Sequence, residues 1–339
     1  MSLPRVAPPP YRRAPRLRPG DLVAVASPAG TVRAPRRLRR GVEALRGLGY
    51  EVRVGELATV FDAAERTAVR RAAELNEFFR DPEVRAVVCT IGGYTTNGVL
   101  DLLDYDALRA DPKPVVGYSD LTALLAAVLT RAGVSCCHGP TLLPELAEFP
   151  EPLPDTAESL HRALTDQHPP GVLTPATSWT DEFLSWELDD DRPRKTLPNP
   201  GWTWLATGSG TGPLVGGNLE TLCTLAGTRY FPAVRGAILL CETASAEAGV
   251  AERSLAHLAM LGVFDAVGGV VAGRTFRGGP GFETRFHDLL RQWVARPGVP
   301  VVAGLDVGHC DPMTTLPLGG RVRVDSSTGT IEVLDAAVE

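Results

Sequence analysis

Residues 86–133, AVVCTIGGYTTNGVLDLLDYDALRADPKPVVGYSDLTALLAAVLTRAG, decide the fold class. The run AVVCTIGG (86–93) is short, apolar and rich in β-branched residues, so it reads as a strand covered on both faces. TNGVLDLLDYDALRAD (96–111) follows with apolar residues at helical spacing. The unit then repeats: PVVGYS is a second apolar strand and DLTALLAAVLTRAG a second helix. Strands alternating with helices, with the strands almost continuously apolar, imply a parallel sheet carrying helices on both faces.

The same alternation extends toward the N-terminus. LVAVASP (22–28) and EVRVG (51–55) read as strands, and RRLRRGVEALRGLGY and RTAVRRAAELNEFFRD as the helices that follow them. Crossovers in such a sheet are right-handed, so the C-terminal ends of its strands share one edge, where sites are usually built. Order returns after residue 211 with NLETLCTLAG (helix), RGAILLCE (strand), AERSLAHLAMLGVF (helix), VGGVVAGRT (strand), ETRFHDLLRQWVA (helix) and VPVVAGLD (strand). GGRVRVDSSTGTIEVL closes the chain as a β-hairpin. The expected fold is therefore α/β: an N-terminal parallel-sheet domain of flavodoxin or Rossmann type, and a smaller C-terminal α/β domain. The boundaries expected are a mobile lead-in over 1–20, a nucleophile domain over 21–145, a linker and Trp-rich substrate loop over 146–210, and a C-terminal domain over 211–339. The linker region holds DDDRPRKTLPNPGWTW and four of the five tryptophans, Trp179, Trp186, Trp202 and Trp204. A long, weakly periodic segment inside an enzyme is usually a lid or binding loop; a solvated linker is the competing account.

Composition narrows the function. In 339 residues, 44% are hydrophobic and 22% charged, as in an ordinary soluble enzyme, and the formal charge of −6 argues against a nucleic-acid polymer as partner. No stretch approaches the roughly 20 apolar residues of a membrane span, and the Pro- and Arg-rich first twenty residues lack the apolar core of a secretory signal. Six cysteines without CxxC spacing read as free thiols in a reducing cytoplasm. There is no HExxH, no ligand-spaced His/Cys cluster and no P-loop, and GSGTGP (208–213) has Pro213 where a dinucleotide fingerprint needs glycine. Neither a metal nor an organic cofactor is expected.

Ser119 sits between the strand PVVGY and the helix DLTALLAAVLT, a turn that lifts a hydroxyl off the sheet beside unpaired helix N–H groups. An ordinary helix N-cap is the competing account. Gly92 and Gly93 end the neighbouring strand, and the N–H groups of Gly93 and Asp120 could form a two-donor oxyanion hole; a plain turn would use the same glycines. Glu242 ends a buried strand, where a carboxylate is costly unless paired, with an arginine salt bridge as the alternative to a catalytic role. His309, in AGLDVGHCDP, and His138, in CCHGP, compete for the role of base. A serine needs a base, and the base an orienting acceptor. Ser119, His309 and Glu242 supply one of each from strand ends.

Several stretches together resemble the LD-carboxypeptidase family of serine peptidases: RPGDLVAVASPAG, RAAELNEFFRDPEVRAVVCTIGGY, KPVVGYSDLTALL, HGP, LVGGNLETLCTLAGT, VVAGRTF and GHCDPMTTLPLGG, in that order, with the match running from about Leu17 to Leu334. The resemblance implies a Ser–Glu–His triad at Ser119, Glu242 and His309, and a homodimer. Peptidoglycan-recycling members usually carry Arg-Gly-Gly-Tyr-Gly where this chain has Ile91-Gly92-Gly93-Tyr94-Thr95. That departure, and the Trp-rich insertion between Ser119 and Glu242, look more like the microcin C immunity branch. The branch implies a peptidyl- or aminoacyl-nucleotide substrate whose acyl bond is cut, with a tryptophan stacked on the nucleobase: Trp186, or its rival Trp179. A muramoyltetrapeptide LD-carboxypeptidase shares the chemistry and is the first alternative. A non-catalytic binding protein on the same scaffold is the second.

Overall fold

The computed structural model describes residues 10–31 and 33–339. Its first sheet has six strands in the order Leu316–Leu318, Cys136–His138, Val115–Gly117, Val84–Cys89, Leu22–Ala26 and Glu51–Val54. All are parallel except Leu316–Leu318, which returns from the C-terminal half to run antiparallel to Cys136–His138. The helices Pro35–Gly47 and Ala68–Arg80 each follow a strand and bury one face, Gly41, Val42 and Leu45 in the first, Ala72, Leu75, Phe78 and Phe79 in the second.

The second sheet has eight strands in the order Gly171–Val172, Thr330–Val333, Arg321–Asp325, Ser209–Asn218, Ile238–Glu242, Gly269–Gly273, Val301–Leu305 and Thr203–Ala206. Ile238–Glu242, Gly269–Gly273 and Val301–Leu305 are parallel and fully buried, and the expected hairpin pairs Arg321–Asp325 with Thr330–Val333.

The helix Thr122–Ala127 joins the two sheets. All six of its residues are buried, and it packs on the strand Ser209–Asn218. A Cβ on Gly217 would lie 2.5 Å from Thr122 Oγ1, so the strand closes on the helix only because residue 217 is glycine. Asn218 N–H donates to Thr122 Oγ1 at 2.9 Å. One apolar core runs from Val87 and Leu124 to Leu239 and Val302. This contact brings the end of a first-sheet strand to the ends of second-sheet strands.

Two expectations need correction. Residues 96–111 are not one helix: a 3-10 turn, Thr96–Leu102, is followed by the helix Tyr105–Ala110. Asn76 causes the break, donating to Leu102 O and accepting from Asp104 N–H, while the Asp104 side chain caps Ala107 N–H. The mobile lead-in does not extend through residues 10–20, and its first nine residues lie outside the described residues. Arg12 pairs with Val134 and Ala14 with Val338, and Ala14 and Leu17 are buried. GSGTGP belongs mostly to the strand Ser209–Asn218, and its glycines serve packing: Cβ atoms on Gly210 and Gly212 would each lie 1.9 Å from a neighbouring carbonyl oxygen. All six cysteines are free thiols, and among the described residues no helix is long and apolar enough to cross a membrane.

Candidate active site

The strand Val115–Gly117 ends one residue before a sharp turn, and Ser119 occupies the left-handed region at φ 62°. For a residue with a Cβ this conformation costs on the order of 1–2 kcal/mol and persists only where the surroundings enforce it. Ser119 is not the N-cap: it is the first residue of the turn Ser119–Leu121, whose N-cap position is Tyr118. The Ser119 hydroxyl lies 3.1 Å from His309 Nε2, and His309 Nδ1 lies 2.7 Å from Glu242 Oε2. The three side chains named from sequence thus form one hydrogen-bonded chain across the junction of the two sheets.

Glu242 is fully buried at the end of Ile238–Glu242, and its carboxylate pairs with His309 rather than with an arginine. Burial works against its charge, but the His309 imidazole's charge and hydrogen bond outweigh that and hold Glu242 below its ordinary value. Burial likewise opposes a charged His309, and Glu242 outweighs it, raising the imidazole above its ordinary value. A carboxylate on Nδ1 fixes that nitrogen as the donor and leaves the Nε2 lone pair facing the hydroxyl. Gly308, at φ 90°, makes room: a Cβ there would lie 2.8 Å from Glu242 Oε2.

His138, the rival base, makes no hydrogen bond to Ser119 among the described residues. It is fully buried against Tyr118, with ring centroids 6.1 Å apart, and neither ring nitrogen has a hydrogen-bond partner among the described residues. Burial pushes it down to about 4, so it is neutral at physiological pH.

Of the paired glycines, Gly92 is the one against the serine. A Cβ there would lie 2.9 Å from Ser119 Oγ and 3.5 Å from Asp120 N. Gly93 packs on the neighbouring loop, its Cα side facing Gly30. The Asp120 carboxylate accepts from Thr96 N–H at 3.0 Å and Thr96 Oγ1 at 2.7 Å, which turns it away from His309.

Ser119 and His309 open into a cleft of about 1020 Å³. Trp186 lines it, with the Arg37 guanidinium 4.7 Å from its ring centroid and Phe183 beside it at 6.3 Å. Trp179 is not among the lining residues; its ring packs on Arg274, 5.3 Å away. Sequence reasoning missed Glu145, which also lines the cleft. It accepts from Tyr118 Oη at 2.6 Å and from Thr141 N–H at 2.7 Å, and burial, reinforced by the charge of Asp311, pushes it up to about 8. Arg37 and Arg194 were missed as well. Each reaches the cleft from a polar stretch, and nothing in the sequence distinguishes either from the other arginines.

A serine set in a strained strand-end turn, with an imidazole and a buried carboxylate behind it, is an arrangement suited to acyl transfer. Residues 23–139 match the family model for the LD-carboxypeptidase N-terminal domain, and residues 211–324 the model for the C-terminal domain. A putative carboxypeptidase of Vibrio cholerae is 35% identical over 94% of this chain and 97% of its own. The microcin C7 self-immunity protein MccF of Escherichia coli is 33% identical over 93% of this chain and 94% of its own. MccF solved in complex with aspartyl sulfamoyl adenosine superposes with a TM-score of 0.87 at 33% identity, covering 97% of this chain and all of the other. An MccF-like protein from Bacillus anthracis superposes equally well, at 32% identity over 95% of this chain and 99% of the other. The protein is a hydrolase of the serine peptidase type. The chain belongs to the LD-carboxypeptidase family.

Proposed function

We propose that the protein hydrolyses the acyl-amide bond of a peptidyl- or aminoacyl-nucleotide, with Ser119 as nucleophile, His309 as general base and acid, and Glu242 as the group that orients the imidazole. The observation that carries the reading is the Ser119–His309–Glu242 hydrogen-bond chain at the mouth of the cleft. Ser119 Oγ attacks the acyl carbonyl carbon while its proton passes to His309 Nε2. The oxyanion is held by the N–H groups of Gly93 and Asp120, with Gly92 leaving the space in which it forms. The C–N bond then breaks and His309 protonates the leaving nitrogen, which leaves an acyl ester on Ser119. Water, deprotonated by His309, attacks the ester; its C–O bond breaks and the proton returns to Ser119. No step needs a metal or an organic cofactor.

The nucleotide half of the reading is supported by Trp186, whose indole lines the cleft, and by the aspartyl sulfamoyl adenosine bound to MccF. Stacking a base on such a ring is worth about 1–3 kcal/mol. The test sets aminoacyl sulfamoyl adenosines carrying different acyl groups beside a tetrapeptide muropeptide. The expected outcome is hydrolysis of at least one nucleotide compound at a kcat/KM about tenfold or more above D-alanine release, with Ser119→Ala at least about 10⁴-fold slower. Preferential D-alanine release would assign the protein to murein recycling. Tight binding without turnover would make it a binding protein.

A further inference from the structure

Tyr118 links the nucleophile to its base. It is the residue before Ser119, in extended backbone, and its buried ring meets the His309 imidazole edge-on, with centroids 5.0 Å apart at 66°. The phenol end of that ring is tethered: Tyr118 Oη donates to Glu145 Oε1 at 2.6 Å. The acceptor is itself fixed. Thr141 donates to Glu145 Oε2 from its N–H at 2.7 Å and from its hydroxyl at 3.1 Å. Residue 145 lies in the turn Leu142–Leu146, which Leu143 N–H ties to Thr90 O, just past the strand Val84–Cys89. Arg37 ties the same turn to the helix Pro35–Gly47 through the carbonyls of Leu143 and Pro144.

Glu145 is 4% exposed, and among the described residues no cation forms an ion pair with it: Arg37 pairs with Asp190 and Glu148, and Arg194 with Glu148 and Asp311. A buried carboxylate without a cation is a cost to the fold, and an apolar side chain could fill the turn without it. What the carboxylate supplies is a fixed acceptor for the phenol. Ser119 stands at φ 62°, a conformation that its surroundings must enforce. A tethered side chain on residue 118 is one such constraint, and it reaches His309 as well.

We propose that Glu145 and Tyr118 are positioning residues for the reaction: the carboxylate anchors the phenol, and the anchored ring fixes both the turn that carries Ser119 and the plane of His309. The inference rests on the roles proposed above for Ser119 and His309, and not on the nucleotide. Ring packing alone is the competing account, under which the hydroxyl could be removed at no kinetic cost. Anchoring predicts a loss, since displacing reacting groups by about 1 Å can cost about 100-fold.

The experiment follows the rate at which a small alkyl fluorophosphonate labels Ser119 in the full chain, because labelling reads the hydroxyl–imidazole pair without the rest of a substrate. Mass spectrometry locates the label, and thermal melts confirm that each variant folds. Tyr118→Phe keeps the ring and loses the tether. Labelling is expected to slow on the order of tenfold, and a change within about threefold overturns the proposal. Glu145→Gln can still bond the phenol and should label faster than Glu145→Ala; equal losses in the two overturn the anchor. The double variant Tyr118→Phe/Glu145→Ala should be no slower than the slower single variant. Additive losses would mean that Glu145 acts on His309 through its charge and not through Tyr118, which also overturns the proposal. On any substrate the wild type turns over, the loss falls in kcat with KM within about threefold, whereas a loss confined to KM would place the pair in binding instead. No labelling of Ser119 in the wild type overturns the roles of Ser119 and His309 and this inference with them. Labelling that the variants leave unchanged overturns this inference alone.

Discussion

The sheet edge that carries Ser119, Glu242 and His309 and the segment 171–206 that carries Trp186 face one cleft, yet different forces hold them. The edge is made of strand ends: Val115–Gly117, Ile238–Glu242 and Val301–Leu305 are buried along their whole length and locked into parallel ladders. The segment contributes strands of two to four residues and is fastened by charge. Asp190 pairs with Arg37 and Arg40, Arg194 with Glu148 and Asp311, and Asn199 donates to Asp306 at 2.9 Å. Apolar ladders hold reacting atoms within the few tenths of an ångström that acyl transfer needs. Ionic fastenings hold a recognition surface that can open and re-form. In the proposed reaction the edge sets the rate and the segment the affinity, and each role can be broken.

The largest effect belongs to Glu242→Gln. The amide keeps the shape and loses the charge that orients His309, so kcat falls on the order of 10²–10⁴-fold while KM changes little. The pH profile carries a second signature. In the proposed reaction His309 acts as a base only when neutral, and Glu242 raises its pKa, so the acid limb of kcat/KM is expected above the roughly 6.5 of an ordinary histidine. In Glu242→Gln burial is opposed only by the more weakly acting Glu145 and Glu220, and the limb moves to lower pH although the plateau is lower. An acid limb that stays in place would show that Glu242 does not set the His309 pKa. The same raised value stabilises the fold fully below about pH 6.5, a contribution lost as pH rises through the folded value.

Trp186→Ala tests the other half. Losing one stacking partner should raise KM by about 5- to 150-fold, the equivalent of 1–3 kcal/mol, and leave kcat within about threefold. Trp179→Ala should leave KM nearly unchanged, since that ring packs on Arg274 away from the cleft. Steady-state kinetics on a nucleotide substrate checks both. A fall in kcat with unchanged KM in Trp186→Ala would mean the segment also positions the reacting bond.

The two regions also differed in how far they could be read from sequence. Ser119, Glu242 and His309 were candidates because each follows a short apolar run and parallel strands deliver their ends to one edge, and the family resemblance is what singled them out from a cap, a salt bridge and His138. The fold class was legible from those apolar runs. The break after Leu102 was not, because Leu102 and Leu103 continue the helical spacing and its cause, Asn76, sits on another helix. Trp186 could be proposed but not separated from Trp179, since what distinguishes them is Arg37, a residue in a helix far away in sequence. Glu145 gave no signal, because the groups that perturb it, Tyr118 and Asp311, lie far from it in sequence. Local patterns record the apolar periodicity of an element, not which distant charge it meets.

The smallest effect on rate, and the sharpest on the comparison, belongs to Asp190→Asn. The Asp190 side chain is 6% exposed and its two oxygens lie 2.6 Å from Arg37 and 2.5 Å from Arg40. Removing its charge leaves Arg37, only 3% exposed, with Glu148 at 3.7 Å as its remaining carboxylate. Breaking one partner of a buried pair costs about 3–5 kcal/mol. Here the loss falls on the docking of the segment rather than on the sheets, because no strand of either ladder depends on residue 190. Limited proteolysis should therefore find new cleavage around residues 182–195, with KM rising a few-fold, kcat held and the main melting transition little moved. Arg37 also covers a face of Trp186, so the KM change should track the tryptophan's and not add to it in the double variant Asp190→Asn/Trp186→Ala. Full additivity would mean that the charge pair and the indole act on substrate independently, and that the segment is not one recognition unit.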